Sequence, residues 1–120
     1  VIIPRRRSVG LTAVVGKASA GALEYMPVAR VANLVATIRD LKARGLWVFG
    51  TAADGDTTLT GADLRGPAAI VIGNEGSGMS RLVAESCDLK VSIPLKGHIS
   101  SLNASTAAAV LLYEAVRQRG

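Results

Sequence analysis

The sequence predicts an α/β fold with a mainly parallel sheet flanked by helices. Short apolar runs alternate with longer amphipathic stretches along the chain, which is the order expected of strands joined by crossover helices. One run, Ala68-Ala-Ile-Val-Ile72, is apolar at every position, as strands covered on both faces are. The chain has 120 residues, enough for one domain with its own core.

Four short apolar runs are predicted to be strands because apolar residues follow one another and turn residues flank them. They are Val1–Ile3, Leu46–Thr51, Ala68–Ile72 and Lys90–Ile93. Four stretches have the spacing of helices: Thr12–Leu23, Ala32–Arg44, Met79–Cys87 and Leu102–Gln118. The segment Thr51–Gly66, rich in Asp, Thr and Gly, is predicted to be an exposed loop.

Composition and charge restrict the class of protein. Half of the residues are apolar (49%) and 19% are charged, which is typical of a globular protein. A net charge of +5 favours a polyanionic partner such as RNA. The aromatic residues are too few for a stacking platform of the RRM or OB type. No apolar run is long enough to span a bilayer, so no membrane contact and a cytoplasmic location are expected.

Metal chemistry is not expected from this sequence. One cysteine, Cys87, and one histidine, His98, cannot form a disulfide or supply the roughly four ligands of a structural zinc site. Carboxylate clusters suited to magnesium are also missing. Cys87 is expected in the core because it precedes a predicted strand, and His98, beside Gly97, is expected to be exposed.

The first loop of interest is Gly73-Asn-Glu-Gly-Ser-Gly78, at the edge where parallel sheets bind ligands. Its glycines follow neither the P-loop nor the Rossmann pattern. Glu75 would repel a phosphate and suits a hydroxyl, an amide or a cationic ligand. An ordinary strand-to-helix turn, with Ser77 or Ser80 capping the helix, is the alternative. The residues alone leave both interpretations open.

The second loop leaves a strand through Pro94 and places Ser100, Ser101 and Asn103 near the start of a helix. Ser100 or Ser101 is the expected N-cap. Asn103 is expected inside the first turn, where Asn is a mediocre helix former, so we assign it to a hydrogen-bonding pocket. Lys96 is expected to be a solvated charge that can meet an RNA phosphate.

The densest positive cluster is Arg5-Arg6-Arg7, directly after the first predicted strand. Such a run is either a solvated strand end or a contact to the RNA backbone. The basic balance of the whole chain favours the RNA contact.

Together, the two loops resemble motifs of the SpoU/TrmH family of RNA methyltransferases. Ile70–Met79 resembles the family's second motif and Val91–Ser105 its third. The order, the spacing and the Ala-rich helix that follows also match. Lys17–Glu24, followed by Val31–Leu34, resembles the branch that contains the bacterial 23S rRNA guanosine-2′-O-methyltransferase.

The resemblance implies one SPOUT-type catalytic domain over residues 1–120, with a deep trefoil knot near the C-terminus. It implies a homodimer with the last helix in the interface. It also implies methyl transfer from S-adenosylmethionine to a ribose 2′-hydroxyl, with rRNA favoured over tRNA as substrate. By motif position the cofactor-binding residues are Gly73, Gly76, Ile93, Leu95, Leu102 and Thr51. The matching polar active-site residues are Glu75, Ser101 and Asn103.

The chain departs from the family at one point. The first family motif, with an Asn and a catalytic Arg upstream of the first strand present here, has no match, so the chain is expected to be N-terminally truncated. Arg5, Arg6 and Arg7 do not take that role. One alternative is therefore an RNA-binding module of the same fold that lacks catalysis. The other is a nucleotide-binding α/β enzyme, which Glu75 and the missing Lys-Ser/Thr pair disfavour.

Overall fold

The computed structural model describes residues 1–5, 25–73, 78–97 and 102–120. The chain divides into two compact units, Val1–Thr37 and Ile38–Gly120. The predicted helix at Thr12–Leu23 lies outside the described residues.

The first unit contains a pair of parallel strands, β1 (Ile2–Pro4) and β2 (Ala29–Val31). The pairing is extended by Arg5, whose backbone N–H donates to the Val31 carbonyl at 2.8 Å. β1 confirms the predicted first strand with a shift of one residue. β2 was not predicted, because a strand of three residues that includes an arginine has no recognisable apolar pattern.

Helix α1 (Leu34–Ala43) begins in the first unit and continues into the second. Asn33 caps it, since its Oδ1 accepts a hydrogen bond from the Ala36 backbone N–H at 3.0 Å. This cap explains why the helix starts two residues later than predicted. Past its end the chain turns at Gly45, which has a φ of +93°.

The second unit is built on a four-stranded parallel sheet with the strand order β4-β6-β3-β5. The strands are β3 (Trp47–Thr51), β4 (Thr57–Thr58), β5 (Ala68–Val71) and β6 (Leu89–Ser92). The predicted strands are confirmed to within one residue at each end. Because the strands are parallel, their carboxyl ends meet at one edge of the sheet.

Two further helices follow β5 and β6. They are α2 (Arg81–Ser86) and α3 (Ala104–Arg119). The predicted cap Ser80 is confirmed, because its Oγ accepts a hydrogen bond from the Val83 backbone N–H at 3.4 Å. In the described part of the chain, no helix is both long enough and apolar enough to cross a membrane.

The core of the second unit forms where α3 packs on one face of the sheet. Its buried members come from the strands β3 and β6, from the segment before β5, and from α3: Phe49, Ala62, Leu64, Val91 and Leu111. Partly buried apolar side chains surround them: Leu59, Ala68, Ile70, Ile72, Leu89, Ile93 and Ala115. The core thus joins strand residues to a helix that is distant in sequence.

The prediction that Thr51–Gly66 is an exposed loop was wrong in part. The segment contains β4, and its residues Ala62 and Leu64 are only 4% and 1% exposed. Leu64 is one apolar residue among polar ones, so no periodic pattern reveals its burial. Its side chain fills the core under α3.

The peptide groups beside Leu64 are bonded by side chains of α3. Gln118 Oε1 accepts from the Leu64 N–H at 2.7 Å, and Gln118 Nε2 donates to the Ala62 carbonyl at 2.8 Å. Arg119 Nε donates to the Leu64 carbonyl at 3.0 Å, and its Nη2 donates to the Gly66 carbonyl at 2.8 Å. Buried backbone groups need such partners, so these contacts make the burial of Leu64 possible.

Glu114 holds this group of side chains in place. It is 6% exposed and accepts hydrogen bonds from Arg117 Nε at 2.6 Å and from Gln118 Nε2 at 2.8 Å. The hydrogen bonds from Arg117 and then from Gln118 lower the pKa of Glu114 to about 2. The ionised carboxylate therefore orients Gln118 toward Ala62 and Leu64.

We expect Glu114→Gln to reduce stability at neutral pH, and the difference from wild type to shrink as the pH falls. The folded-state pKa of about 2 lies below the ordinary value of 4.5. Ionised Glu114 therefore stabilises the fold fully above the unfolded-state pKa, and this contribution is lost as the pH falls toward 2. Urea unfolding of both proteins between pH 7 and pH 3 measures the effect. Glu85→Gln, which removes an exposed ion pair with Arg81, is the matched control. A difference in unfolding free energy that does not change with pH would contradict the stabilising role of the ionised Glu114.

Candidate functional site

Several of the predicted site residues that the structure describes lie where the strands of the parallel sheet end. In the strand register Gly50 pairs with Val71 of β5, and Thr51 pairs with Val91 of β6. Thr51, the last residue of β3, therefore lies between the exits of β5 and β6. Gly73 lies two positions after Val71, and Ile93 lies two positions after Val91. Three of the predicted cofactor positions thus share one edge of the sheet.

Thr51 holds the chain as it leaves β5. Its Oγ1 donates a hydrogen bond to the Val71 carbonyl at 3.2 Å and accepts one from the Gly73 N–H at 3.2 Å. The hydroxyl thus uses its one proton and one lone pair within the protein. We infer that Thr51 positions Gly73, and its own contact with a cofactor stays a prediction.

The first loop is closed tightly at its base. A Cβ at Gly73 would lie 2.7 Å from the Met79 backbone nitrogen and 2.8 Å from the Gly78 carbonyl carbon. The two ends of the loop are therefore in direct backbone contact, and only a glycine fits there. The predicted residues Glu75 and Gly76 lie outside the described residues.

The second loop, residues 93–97, combines half-buried apolar side chains with available backbone groups. Ile93 packs against the core, and both Ile93 and Leu95 are half-buried. Their peptide groups make no hydrogen bond to another residue that the structure describes. Small organic ligands bind to surfaces of this kind, where apolar side chains surround a few free donors and acceptors. Lys96 is exposed, as predicted.

Asn103 is the N-cap of α3, so the prediction that it lies inside the first turn was wrong, as was the assignment of the cap to Ser100 or Ser101. Its Oδ1 accepts hydrogen bonds from the Ser105 and Thr106 backbone N–H groups at 2.9 and 3.3 Å. This role fixes the amide orientation, because a backbone N–H needs an oxygen. Nδ2 is left without a hydrogen bond to any described residue, and Asn103 is exposed. One side chain thus caps the helix and offers a free donor.

The remaining predicted residues are placed as follows. Leu102 is half-buried, directly before the N-cap. Arg5 is exposed at the end of β1, in the first unit. Four predicted residues fall outside the described part of the chain: Arg6, Arg7, His98 and Ser101.

Cys87 is a structural residue, as predicted. It is half-buried, and its Sγ donates a hydrogen bond to the Val83 carbonyl at 3.3 Å. Burial, and to a smaller extent the negative charge of Asp88, raises the pKa of the thiol. A protonated thiol is a poor nucleophile, so Cys87 does not suit covalent catalysis.

Sequence reasoning missed the contact between Gly50 and the end of the first loop. A Cβ at Gly50 would lie 2.7 Å from Met79 Cε and 2.8 Å from Cys87 Sγ. Met79 therefore packs against β3 just where the first loop ends. A signal existed, because a glycine within an apolar strand often marks a close approach of another group.

The described site residues suit an organic ligand with a hydrogen-bonding edge. They provide peptide groups, an amide donor and apolar side chains, and the N-terminus of α3 adds a partial positive charge. Among residues 1–5, 25–73, 78–97 and 102–120, no group of three or more His, Cys, Asp or Glu side chains is placed to bind a metal ion.

Comparisons with known proteins give a consistent result. A family model described as the SpoU rRNA Methylase family matches residues 1–113. The chain is 54% identical over 119 residues to a Staphylococcus saprophyticus protein assigned by name to the TrmH family of tRNA/rRNA methyltransferases. It is 52% identical over 119 residues to the 23S rRNA (guanosine-2′-O-)-methyltransferase RlmB of Shewanella oneidensis. Each match covers 99% of this chain and 48% of the relative, so the chain spans about half of their length.

A solved structure has the same fold. The SpoU methyltransferase AviRb of Streptomyces viridochromogenes, in complex with AdoMet, matches with a TM-score of 0.89 and 35% sequence identity. The match covers 98% of this chain and 49% of AviRb.

We expect Gly73→Ala to destabilise the second unit by about 1–3 kcal/mol, because the added methyl group collides with backbone that must move. Urea unfolding monitored by circular dichroism measures the change. Gly66→Ala is the matched control, since a Cβ at Gly66 meets nothing within 4 Å. Equal midpoints for the two variants would show that the base of the loop is not closed as described.

Proposed function

This chain belongs to the SpoU rRNA methylase family, and we propose that it takes part in methyl transfer from S-adenosylmethionine to a ribose 2′-hydroxyl of RNA. The observation that carries the proposal is made at one edge of the sheet. There Thr51 fixes Gly73, and the peptide groups of Ile93 and Leu95 make no hydrogen bond to another described residue. We propose a guanosine in rRNA as the target in preference to tRNA, because the Shewanella relative bears that activity in its name.

The donor set of this edge fits the parts of S-adenosylmethionine. Adenine has two apolar faces and a hydrogen-bonding edge, which suit the side chains and peptide groups of Ile93, Leu95 and Leu102. The carboxylate suits the N-terminus of α3, where Asn103 Nδ2 makes no hydrogen bond to a described residue. We assign Gly73 and Gly76 to the same pocket and give Thr51 a positioning role.

The proposed chemistry requires positioning more than covalent catalysis. S-adenosylmethionine supplies a methyl group on a positively charged sulfur. The second loop and the N-terminus of α3 would hold the cofactor and so position the reacting groups, which lowers the entropic part of the barrier. A 2′-hydroxyl is a weak nucleophile, and hydrogen bonds or a base assist it. We assign Glu75, Ser101 and Asn103 to the polar set that orients the reacting groups.

We also propose the SPOUT-type trefoil knot near the C-terminus. The strand order β4-β6-β3-β5 supports it, since β6 is last in sequence and yet lies between β3 and β4. The chain therefore returns into the middle of a sheet whose other strands precede it. The bonds from α3 to the carbonyls of Ala62, Leu64 and Gly66 hold the end of the chain against an earlier segment.

A homodimer through α3 is the third part of the proposal. Leu112, Tyr113 and Val116 are 57%, 73% and 64% exposed and form a stripe at helical spacing. The opposite face of the helix buries Leu111 and Glu114. An apolar stripe exposed beside a covered face favours a protein partner, and a second copy of the same helix matches it.

Calorimetric titration with S-adenosylhomocysteine tests the cofactor site, with ATP as the control. We expect saturable binding of S-adenosylhomocysteine and none of ATP, because the first loop lacks the residues that hold a triphosphate. Binding of ATP alone would contradict the proposal and favour a nucleotide-binding enzyme. Binding of neither ligand would exclude a complete cofactor site in these residues.

Asn103→Asp separates the two roles of Asn103 in the same titration. The carboxylate keeps an oxygen for the cap, so the unfolding midpoint should change little. The amide donor is lost, and a hydrogen bond to a charged group contributes about 1.5–3 kcal/mol, so binding should weaken roughly tenfold or more. An unchanged affinity for S-adenosylhomocysteine would show that Asn103 caps α3 and does not contact the ligand.

We expect Leu112→Asp to produce a monomer, because a charge in the apolar stripe opposes its burial in a dimer interface. Sedimentation velocity of wild type and variant measures the change. Leu82→Asp is the matched control, since Leu82 is 58% exposed but lies on α2, away from the stripe. A monomeric wild type, or a dimeric Leu112→Asp protein, would contradict an interface at this stripe.

A further inference from the structure

The single tryptophan of the chain lies exposed on the edge of the sheet opposite the candidate site. Trp47 is the first residue of β3, and the candidate site lies at the other end of that strand. Trp47 is 57% exposed, although a tryptophan is usually covered for most of its area. Its backbone N–H donates to the Pro67 carbonyl at 3.1 Å, which fixes it beside the start of β5.

Two arginines lie near the backbone of Trp47, Arg119 through its bond to Gly66 and Arg44 three positions earlier in the sequence. Gly66 precedes Pro67, and its carbonyl accepts a hydrogen bond from Arg119 Nη2 at 2.8 Å. Arg119 makes no ion pair with a described residue, so its positive charge is not neutralised there. Three residues before Trp47, the side chain of Arg44 is 71% exposed and forms an ion pair with Asp40, whose side chain is 60% exposed. We call Arg44, Trp47, Pro67 and Arg119 the tryptophan surface.

We propose that the tryptophan surface binds single-stranded RNA, with the indole of Trp47 stacked on one unpaired base. The inference rests on the proposed function, since it takes RNA as the substrate. Exposed aromatic rings recognise unpaired bases by stacking, while neighbouring arginines contact the phosphates. Trp and Arg are also common in protein interfaces, so a protein partner is the competing outcome of the test. The charge of Arg119, which no described carboxylate neutralises, favours contact with a phosphate.

The surface is separate from the reacting groups. Trp47 and Thr51 lie at opposite ends of β3, four positions apart, a span of roughly 13 Å at about 3.3 Å per residue. An RNA strand that contacts both edges would be oriented along the sheet. Contacts at Trp47 therefore select and align the substrate without touching the methyl group.

RNA binding at this surface can be followed by the fluorescence of Trp47, because it is the only tryptophan of the chain. In one titration, the polarisation of a fluorescein-labelled single strand of RNA is measured as the 120-residue chain is added. In a matched titration with the unlabelled RNA, the indole emission of Trp47 is measured. We expect the emission to be quenched with the same midpoint as the polarisation change. A duplex of the same sequence should quench less, since its bases are already stacked.

Two substitutions complete the experiment. Trp47→Ala should weaken binding of the single strand roughly five- to a hundredfold, the range measured for loss of one base–aromatic stack. Trp47→Phe keeps a ring and should recover part of that affinity. Leu82→Ala, which shortens an exposed apolar residue on α2, is the control and should bind RNA as wild type does.

Three outcomes would overturn the proposal: RNA that binds without altering the indole emission, no RNA binding, or emission that shifts with protein concentration alone. The last outcome would assign the surface to a protein contact. Titration with S-adenosylhomocysteine on the same sample reports the cofactor site independently. Retained cofactor binding with an indole that does not respond to RNA would therefore refute this inference and leave the cofactor site intact.

Discussion

The second unit depends on the contact between the last turn of α3 and the segment that precedes β5. Gln118 and Arg119 bond the peptide groups on both sides of Leu64, and the ionised Glu114 orients Gln118. Because these backbone groups have partners, Leu64 can enter the core without leaving buried polar groups unpaired. Leu64 then packs with Leu111 of the same helix, so the polar and apolar contacts of α3 support each other.

This anchoring also determines where the other end of α3 lies. Its N-terminus, with Asn103, follows the loop that leaves β6, and that loop starts beside Thr51 at the edge of the sheet. Thr51 connects β3 to the exit of β5 through Gly73. As proposed, the site combines strand ends with one helix cap, and such elements hold a ligand more accurately than free loops do.

The two edges of the sheet differ in chemical character. The carboxyl-end edge offers peptide groups, half-buried apolar side chains and an amide donor, which suit a small organic ligand. The amino-end edge carries the exposed Trp47 beside Arg119 and Arg44, which suits a polyanion with unpaired bases. As proposed, separate surfaces for cofactor and nucleic acid would allow one sheet to position both.

The sequence by itself determined the strands β3, β5 and β6, the helices α1, α2 and α3, and the family, because each rests on local signals: an apolar run, a helical period, or a motif at fixed spacing. It also located the sheet edge, since ligands of parallel sheets bind beyond the strand ends. Tertiary structure alone decided the burial of Leu64, the insertion of β6 between β3 and β4, and the exposure of Trp47. The burial of Leu64 and the insertion of β6 depend on contacts between residues 34 to 54 positions apart, from the pairing of Thr57 with Val91 to the bond between Leu64 N and Gln118 Oε1, and no local pattern encodes them.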